Sequence, residues 1–179
     1  ATGTMLLGSE IAAALTALEP LGIDMIGLNC ATGPTEMSEH LRHLSRYARV
    51  AVSAMPNAGL PVLTAGGAHY PLTPAELAAA HDHFTNDYGL ALVGGCCGTT
   101  PEHISLLAKL AQEVSPAART IEDAPAVSSL YSSVPLHLDP APLLIGERCN
   151  ANGSKKFREL LLEDRYDDIV AMGKEQVRE

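Results

Sequence analysis

Three of the four cysteines in this 179-residue chain, Cys30, Cys96 and Cys97, follow short apolar runs. In "IDMIGLNCATGP" Cys30 ends one such run, and in "LVGGCCGTTPEH" (92–103) Cys96 and Cys97 stand side by side behind another. Thiolates are good zinc ligands, and three protein ligands with an open fourth position describe a catalytic zinc site. Neighbouring residues in an extended strand point to opposite faces, so two adjacent cysteines can grip one ion only where the strand has ended. Gly94, Gly95 and Gly98 supply that freedom. The same trio also fits ordinary buried thiols. Its spacing, 96 − 30 = 66 residues, is not that of a zinc finger, and a redox pair is disfavoured because C-x-x-C is absent. On the residues alone, metal ligation and inert burial both stand.

The elements that must position these cysteines alternate. Helical spacing covers 9–19, with Ser9 as the N-cap, then 33–48, 73–89 and 100–114. Thr73 and Thr100 cap the last two, each followed by a proline in the first turn, and Gly89 stops the third. Apolar runs suited to buried parallel strands fill 23–29, 49–55 and 90–95, and a remnant of another strand lies near Met5. Residues 60–72 read as a Gly/Pro-rich loop. Strand–helix alternation with short loops is the signature of a parallel α/β fold. Cys30, Asn57 and the Cys96–Cys97 pair each come just after a strand. Both a barrel and an open doubly wound sheet place their chemistry at that end. The Gly-rich turn before Thr100 also aims backbone N–H groups at the same rim, where a substrate carboxylate could bind.

Residues 115–142 change character: Pro, Ser and Ala dominate, and the stretch reads as a partly extended interdomain linker. Order resumes with the strand-like "LLIGERCN" (143–150) and two helical patterns, 153–164 and 166–179.

A net charge of −9 and 4% aromatic residues exclude a nucleic-acid surface. No run of about 18 apolar residues exists to span a membrane, and the opening stretch has no basic, apolar leader pattern. Four cysteines in a chain of this length are not a disulfide scaffold, so a reducing, cytoplasmic setting is expected. The chain starts at Ala1 and stops inside the helical "MGKEQVRE", so it reads as part of a longer polypeptide.

"GLNCATGP", "MPNAG" and "GGCCGTTPEHI", in that order, closely resemble the homocysteine S-methyltransferase family. "IGERCNANGSKKFRELL" resembles the start of a pterin-binding (methyltetrahydrofolate) domain. Together the two resemblances span nearly the whole chain. They imply an α/β fold made of a partial (β/α)8 TIM barrel, a linker and the beginning of a second barrel. Residues 1–114 would be the C-terminal part of the homocysteine-binding barrel, and 115–142 the linker. Residues 143–179 would be the first strand and helices of the pterin-binding barrel. The resemblance implies that Cys30, Cys96 and Cys97 ligate zinc, that Asn57 neighbours the zinc site, and that Glu147 and Asn150 contact the pterin. Cys149 stands where the family often has Thr and is read as a small buried side chain, not a ligand.

The implied chemistry is zinc-dependent methyl transfer to homocysteine, giving methionine. The methyl group would come from 5-methyltetrahydrofolate through cobalamin. Three cysteinates on Zn2+ leave a net charge of 2 − 3 = −1, which preserves electron density on a substrate sulfur. A methylcobalamin domain and the remaining barrel segments would be partners. Two alternatives are a homocysteine methyltransferase with a simple donor such as a methylated sulfonium or betaine, and a zinc-stabilised interaction module without catalysis. A (β/α)8 barrel needs roughly 250 residues, so this chain alone is expected to be inactive.

Other polar residues carry less. His81 and His83 flank Asp82 inside a helix, where i,i+2 side chains do not share a face. His40 and His43 are read as solvent-facing. His69 and Tyr70 are possible substrate contacts in the long loop, and Lys155 and Lys156 an exposed basic pair.

Overall fold

In the computed structural model, residues 4, 5, 8–143 and 148–178 are described. In chain order the elements are α1 (Ile11–Leu18), β1 (Met25–Asn29), α2 (Pro34–Tyr47), β2 (Ala51–Met55), β3 (Val62–Thr64), β4 (Gly67–His69), α3 (Pro74–Tyr88), β5 (Leu92–Val93), α4 (Pro101–Glu113), β6 (Ala126–Ser128), β7 (Ser133–Pro135), α5 (Lys155–Leu162) and α6 (Tyr166–Arg178). They divide into two compact units, Ala1–Leu136 and His137–Glu179.

In the first unit β1, β2 and β5 form a parallel sheet in that order, with α2 and α3 as crossovers. Met25 to Asn29 lie opposite Ala51 to Met55, and Ser53 lies opposite Leu92. The alternation of β2 puts Val52 and Ala54 into a core with Ile26, Met37, Leu41, Leu44, Phe84 and Leu90. Leu41 and Leu44 are fully buried, each worth roughly 1.5–3 kcal/mol of apolar burial. This α/β wall, with its strands all pointing one way, is compatible with part of a barrel. Parallel strands bring the chain following β1, β2 and β5 to one edge, and the site lies there.

The local start and stop signals operate largely as read. Thr73 forms a reciprocal capping box with Glu76, and Gly89 ends α3 at φ +64. Ser9 is a correction: Glu10 is the N-cap of α1 and makes no side-chain cap. The Glu10 N–H is held by the Tyr131 carbonyl at 2.8 Å, so a distant contact sets where this helix begins. Residues 60–72 are a second correction, because β3 and β4 pair there as an antiparallel hairpin around Thr64 and Gly67. All six strand residues are exposed, so no buried face wrote an alternating pattern into the sequence. Met5 lies in no strand, and residues 6 and 7 fall outside the described set.

The Pro/Ser-rich stretch contains a short hairpin of β6 and β7 packed near α1. Before it, Arg119 closes the end of α2: its guanidinium donates to the carbonyls of Leu44 (3.3 Å), Ser45 (3.5 Å), Ala48 (3.1 Å) and Val50 (2.6 Å). These include the orphan acceptors that every helix C-terminus leaves. Partial burial lowers the Arg119 pKa.

In the second unit α5 and α6 pack through buried Leu160 and Met172, and the Ser154 hydroxyl caps α5 by accepting the Phe157 N–H at 3.2 Å. The strand expected over "LLIGERCN" crosses residues 144–147, which lie outside the described residues, and Glu147 with them.

Candidate metal centre

Cys30 is the first residue after β1, Asn57 the second after β2, and Cys96 the third after β5. The chain leaves β1 sharply: Cys30 and Ala31 sit in the left-handed region at φ 62 and 64. Non-glycine residues adopt that region at a cost of roughly 1–2 kcal/mol each, and such strain gathers at functional sites. It is held by the Cys30 N–H donating to Met55 O (2.9 Å) and the Thr32 N–H to Cys30 O (2.7 Å). β5 ends at Val93, so Cys96 and Cys97 lie beyond any pleat and can converge.

Their sulfurs do converge. Cys30 Sγ lies 3.7 Å from Cys97 Sγ, Cys97 Sγ lies 4.0 Å from Cys96 Sγ, and all three fall within 4.8 Å of one another. These are far longer than a disulfide, and all the cysteines are free. Tetrahedral zinc with Zn–S near 2.3 Å separates its sulfurs by roughly 3.8 Å. The donor set and its spacing therefore fit a zinc ion. Among the described residues, this is the group of ligand side chains close enough to hold a metal.

The electrostatics fit as well. The Ala31 backbone N–H, with help from Cys96, Cys97 and the Asn57 side chain, lowers the Cys30 pKa. The Cys96 pKa is raised, first by the neighbouring Cys30 thiol and then by burial. The close thiols thus push one another's pKa values apart, Cys30 down and Cys96 up.

Asn57 is buried at 4% exposure, and its Oδ1 accepts the Cys97 N–H at 3.0 Å. Its side chain also helps to lower the Cys30 pKa, so one amide acts on cysteines that follow two different strands. The turn's backbone N–H groups correct the carboxylate reading. Cys96 N donates to Pro56 O (2.8 Å), Cys97 N to Asn57, Thr99 N to Cys96 O (3.2 Å) and Thr100 N to His103 Nδ1 (3.1 Å). Two of these are spent on the segment after β2, and two on the turn and the start of α4.

Three side chains near the centre escaped notice or were underrated. Tyr70 has its ring against Gly98, where φ is +78 and a β-carbon would stand 2.3 Å from Tyr70 Cβ. Burial, then the neighbouring Cys97 thiol, raise its pKa. His81 is fully buried and shares a 2.8 Å hydrogen bond with the Gly94 carbonyl, two residues ahead of Cys96. His103 occupies the capping-box position three residues after Thr100, where Glu or Gln is usual, and that substitution is the signal that could have flagged it.

Elsewhere, His83 pairs with Asp87 and Lys155 Nζ lies 3.6 Å from Glu159. His43 is half-buried rather than solvent-facing, in contact with Tyr47. In the second unit Asn150 is exposed, and its Oδ1 accepts the Asn152 N–H at 2.9 Å. Cys149 is exposed, which corrects its reading as a buried filler.

Comparison with known proteins agrees on this region. The family description "Homocysteine S-methyltransferase" matches residues 1–111. A methionine synthase of Mycobacterium tuberculosis is 61% identical over 178 residues, covering 99% of this chain and 15% of that protein. A methionine synthase of Mycobacterium leprae is 59% identical over 182 residues, with the same coverage. The chain thus spans 15% of the length of these curated relatives.

Proposed function

The chain belongs to the homocysteine S-methyltransferase family, and from that premise we propose that its first unit carries the thiol-activating centre of a methionine synthase. The observation that carries this reading is the convergence of Cys30, Cys96 and Cys97 sulfurs within 4.8 Å at one edge of the sheet. When bound there, zinc supplies the Lewis acidity that lets a substrate thiol lose its proton near neutral pH. The three cysteine thiolates would be its protein ligands, and the homocysteine sulfur would join them as a further ligand. Their summed negative charge keeps that sulfur nucleophilic. Asn57 holds the Cys97 peptide, so it keeps that donor in register with the segment after β2.

The methyl donor follows from the rest of the chain. Similarity to methionine synthases runs through residues 143–179 as well as the family region. This favours cobalamin and 5-methyltetrahydrofolate over a simple sulfonium or betaine donor. On this reading residues 1–114 belong to a homocysteine-binding barrel, 115–142 link it to the next domain, and 143–179 begin a pterin-binding barrel. Glu147 and Asn150 are its pterin contacts, and the methylcobalamin domain and remaining barrel segments are partners. Free thiols suit a reducing compartment, so we place the protein in the cytoplasm. Among the described residues, no helix is long and apolar enough to cross a membrane.

Calorimetric titration of homocysteine into the zinc-loaded chain, in buffers of different ionisation enthalpy, tests the reading. Binding with release of about one proton per homocysteine near neutral pH is expected. Methionine, whose sulfur has no proton, should release none. Full zinc occupancy with no homocysteine binding would overturn it. The 179-residue chain by itself should not form methionine, and turnover by it would refute that part.

A further inference from the structure

Polar side chains are costly to bury, so where they gather is informative. Among the described residues the buried polar ones are Ser9, Asn57, His81, Thr85 and His103. Three of these five bond the backbone of one short stretch, residues 94–100, which carries Cys96 and Cys97. His81, from α3, shares a 2.8 Å hydrogen bond through Nε2 with the Gly94 carbonyl. Asn57, after β2, accepts the Cys97 N–H at 3.0 Å. His103, from α4, accepts the Thr100 N–H through Nδ1 at 3.1 Å. The stretch is thus gripped at its start, its middle and its end from three different elements. It contains Gly94, Gly95 and Gly98, so its own backbone does little to fix its course.

The chemistry of the two imidazoles suits that grip. A carbonyl oxygen only accepts, so His81 Nε2 carries a proton. A backbone N–H only donates, so His103 Nδ1 accepts, and its ring proton sits on Nε2, 3.0 Å from the Leu72 carbonyl. Glutamate, common at that capping position, has no proton to offer Leu72. The second bond of His103 closes a ring of contacts. The Leu72 N–H donates to Ala58 O at 3.0 Å, and the Ala58 N–H donates to Cys97 O at 2.9 Å. We propose that His81 and His103 are positioning residues of the metal-thiolate centre, two buried imidazoles that clamp the Cys96–Cys97 loop from its two ends. The inference rests on the reading of the three cysteines as a metal-ligand set. Neither imidazole is in that set; each acts on the loop backbone, so that the sulfurs stand in place before an ion arrives. Supporting contacts around metal ligands typically account for roughly 10–100-fold in metal affinity.

Cobalt(II) titration of the reduced, metal-free full chain tests this, since cobalt takes tetrahedral sulfur ligands and reports them as a thiolate-to-metal absorption band. Affinity is read by competition with a chelator, at a temperature where every variant is folded. His103→Asn sets an acceptor near the place of Nδ1 and nothing where Nε2 stands, so it keeps the cap on Thr100 and loses Leu72. His81→Leu fills a similar space and loses the bond to Gly94. Each should bind cobalt about tenfold more weakly and displace the band. His103→Gln and His81→Gln set an amide N–H near the place of Nε2 and should recover most of the loss. Parental affinity and spectrum in His103→Asn or His81→Leu, with only the unfolding midpoint lowered, would overturn the proposal for that histidine. Glutamine variants that bind no better than these two would overturn it as well. Absence of any thiolate band in the parent, or a full band in Cys96→Ala, would instead overturn the three-cysteine reading, so the two failures are distinguishable.

Discussion

Asn57 Oδ1 accepts the Cys97 backbone N–H at 3.0 Å, so a residue following β2 fixes the peptide of a cysteine that follows β5. The same side chain helps to lower the pKa of Cys30, which follows β1. Asn57→Ala should therefore weaken zinc binding by about tenfold or more while the sheet core stays intact. Asn57→Asp preserves the acceptor for Cys97 but sets a negative charge beside the sulfurs. It should raise the Cys30 pKa, because a like charge disfavours the thiolate. Chelator competition for zinc checks the first, and thiol alkylation followed against pH the second: the Asp variant should need higher pH for the same rate.

Arg119 donates to the carbonyls of Leu44, Ser45, Ala48 and Val50 together. Arg119→Ala should destabilise the first unit by about 2 kcal/mol, since hydrogen bonds to charged groups are worth about 1.5–3 kcal/mol. Arg119→Lys should recover only part of this, because a single ammonium cannot span four acceptors as a planar fork does. Urea denaturation of the three proteins measures the order. Equal stability of all three would contradict it.

His81 makes stability depend on pH. Burial lowers its pKa in the folded protein, although its bond to Gly94 O works the other way. Its Nδ1 meets no hydrogen-bond partner among the described residues, so nothing there waits for a proton. The folded state thus binds fewer protons than the unfolded one. The sign follows: stability is full above the unfolded value of about 6.5 and is lost as pH falls from there towards the folded value, by at most about 1.4 kcal/mol per pH unit. His43, lowered by burial and by nearby His40 and Arg46, acts in the same direction. Unfolding free energies at pH 7.5 and 5.5 should fall more in the parent than in His81→Gln. Equal falls would remove His81 from the account.

Gly98 must stay glycine. With φ at +78 and Tyr70 Cβ and Cγ each 2.3 Å from where a β-carbon would stand, Gly98→Ala meets both strain and collision. A stability loss above about 1 kcal/mol is expected, together with weakened metal binding. A crystal structure of a stable alanine variant with Tyr70 unmoved would contradict this.

The parallel wall and its working edge were legible in the sequence because period and punctuation agree there. Thr73 with Pro74 and Gly89 bracket α3, and apolar runs ending at Asn29, Met55 and Val93 mark the strands. The cysteines could be picked out by type and position after strands, but only folding brings sulfurs 66 residues apart to within 3.7–4.0 Å of a common partner. Illegible were contacts written by distance in the chain. Arg119 sits in a stretch whose composition says linker, yet it serves a helix that ends 72 residues earlier (119 − 47). The β3–β4 hairpin is exposed on both strands, so no core selected its pattern. Tyr70 packs on Gly98 and His103 bonds the Leu72 carbonyl, and neither backbone partner carries a side-chain signature, although His103 stands at a capping-box position.

Metal analysis of the reduced, folded chain, paired with Cys30→Ala, Cys96→Ala and Cys97→Ala, tests the central claim most directly. Convergence of the three sulfurs within 4.8 Å predicts about one zinc per chain in the parent and a large loss in each variant, with X-ray absorption reporting sulfur neighbours at about 2.3 Å. A folded, reduced parent that takes up no zinc, or that keeps its zinc when any of the three cysteines is replaced, would contradict it.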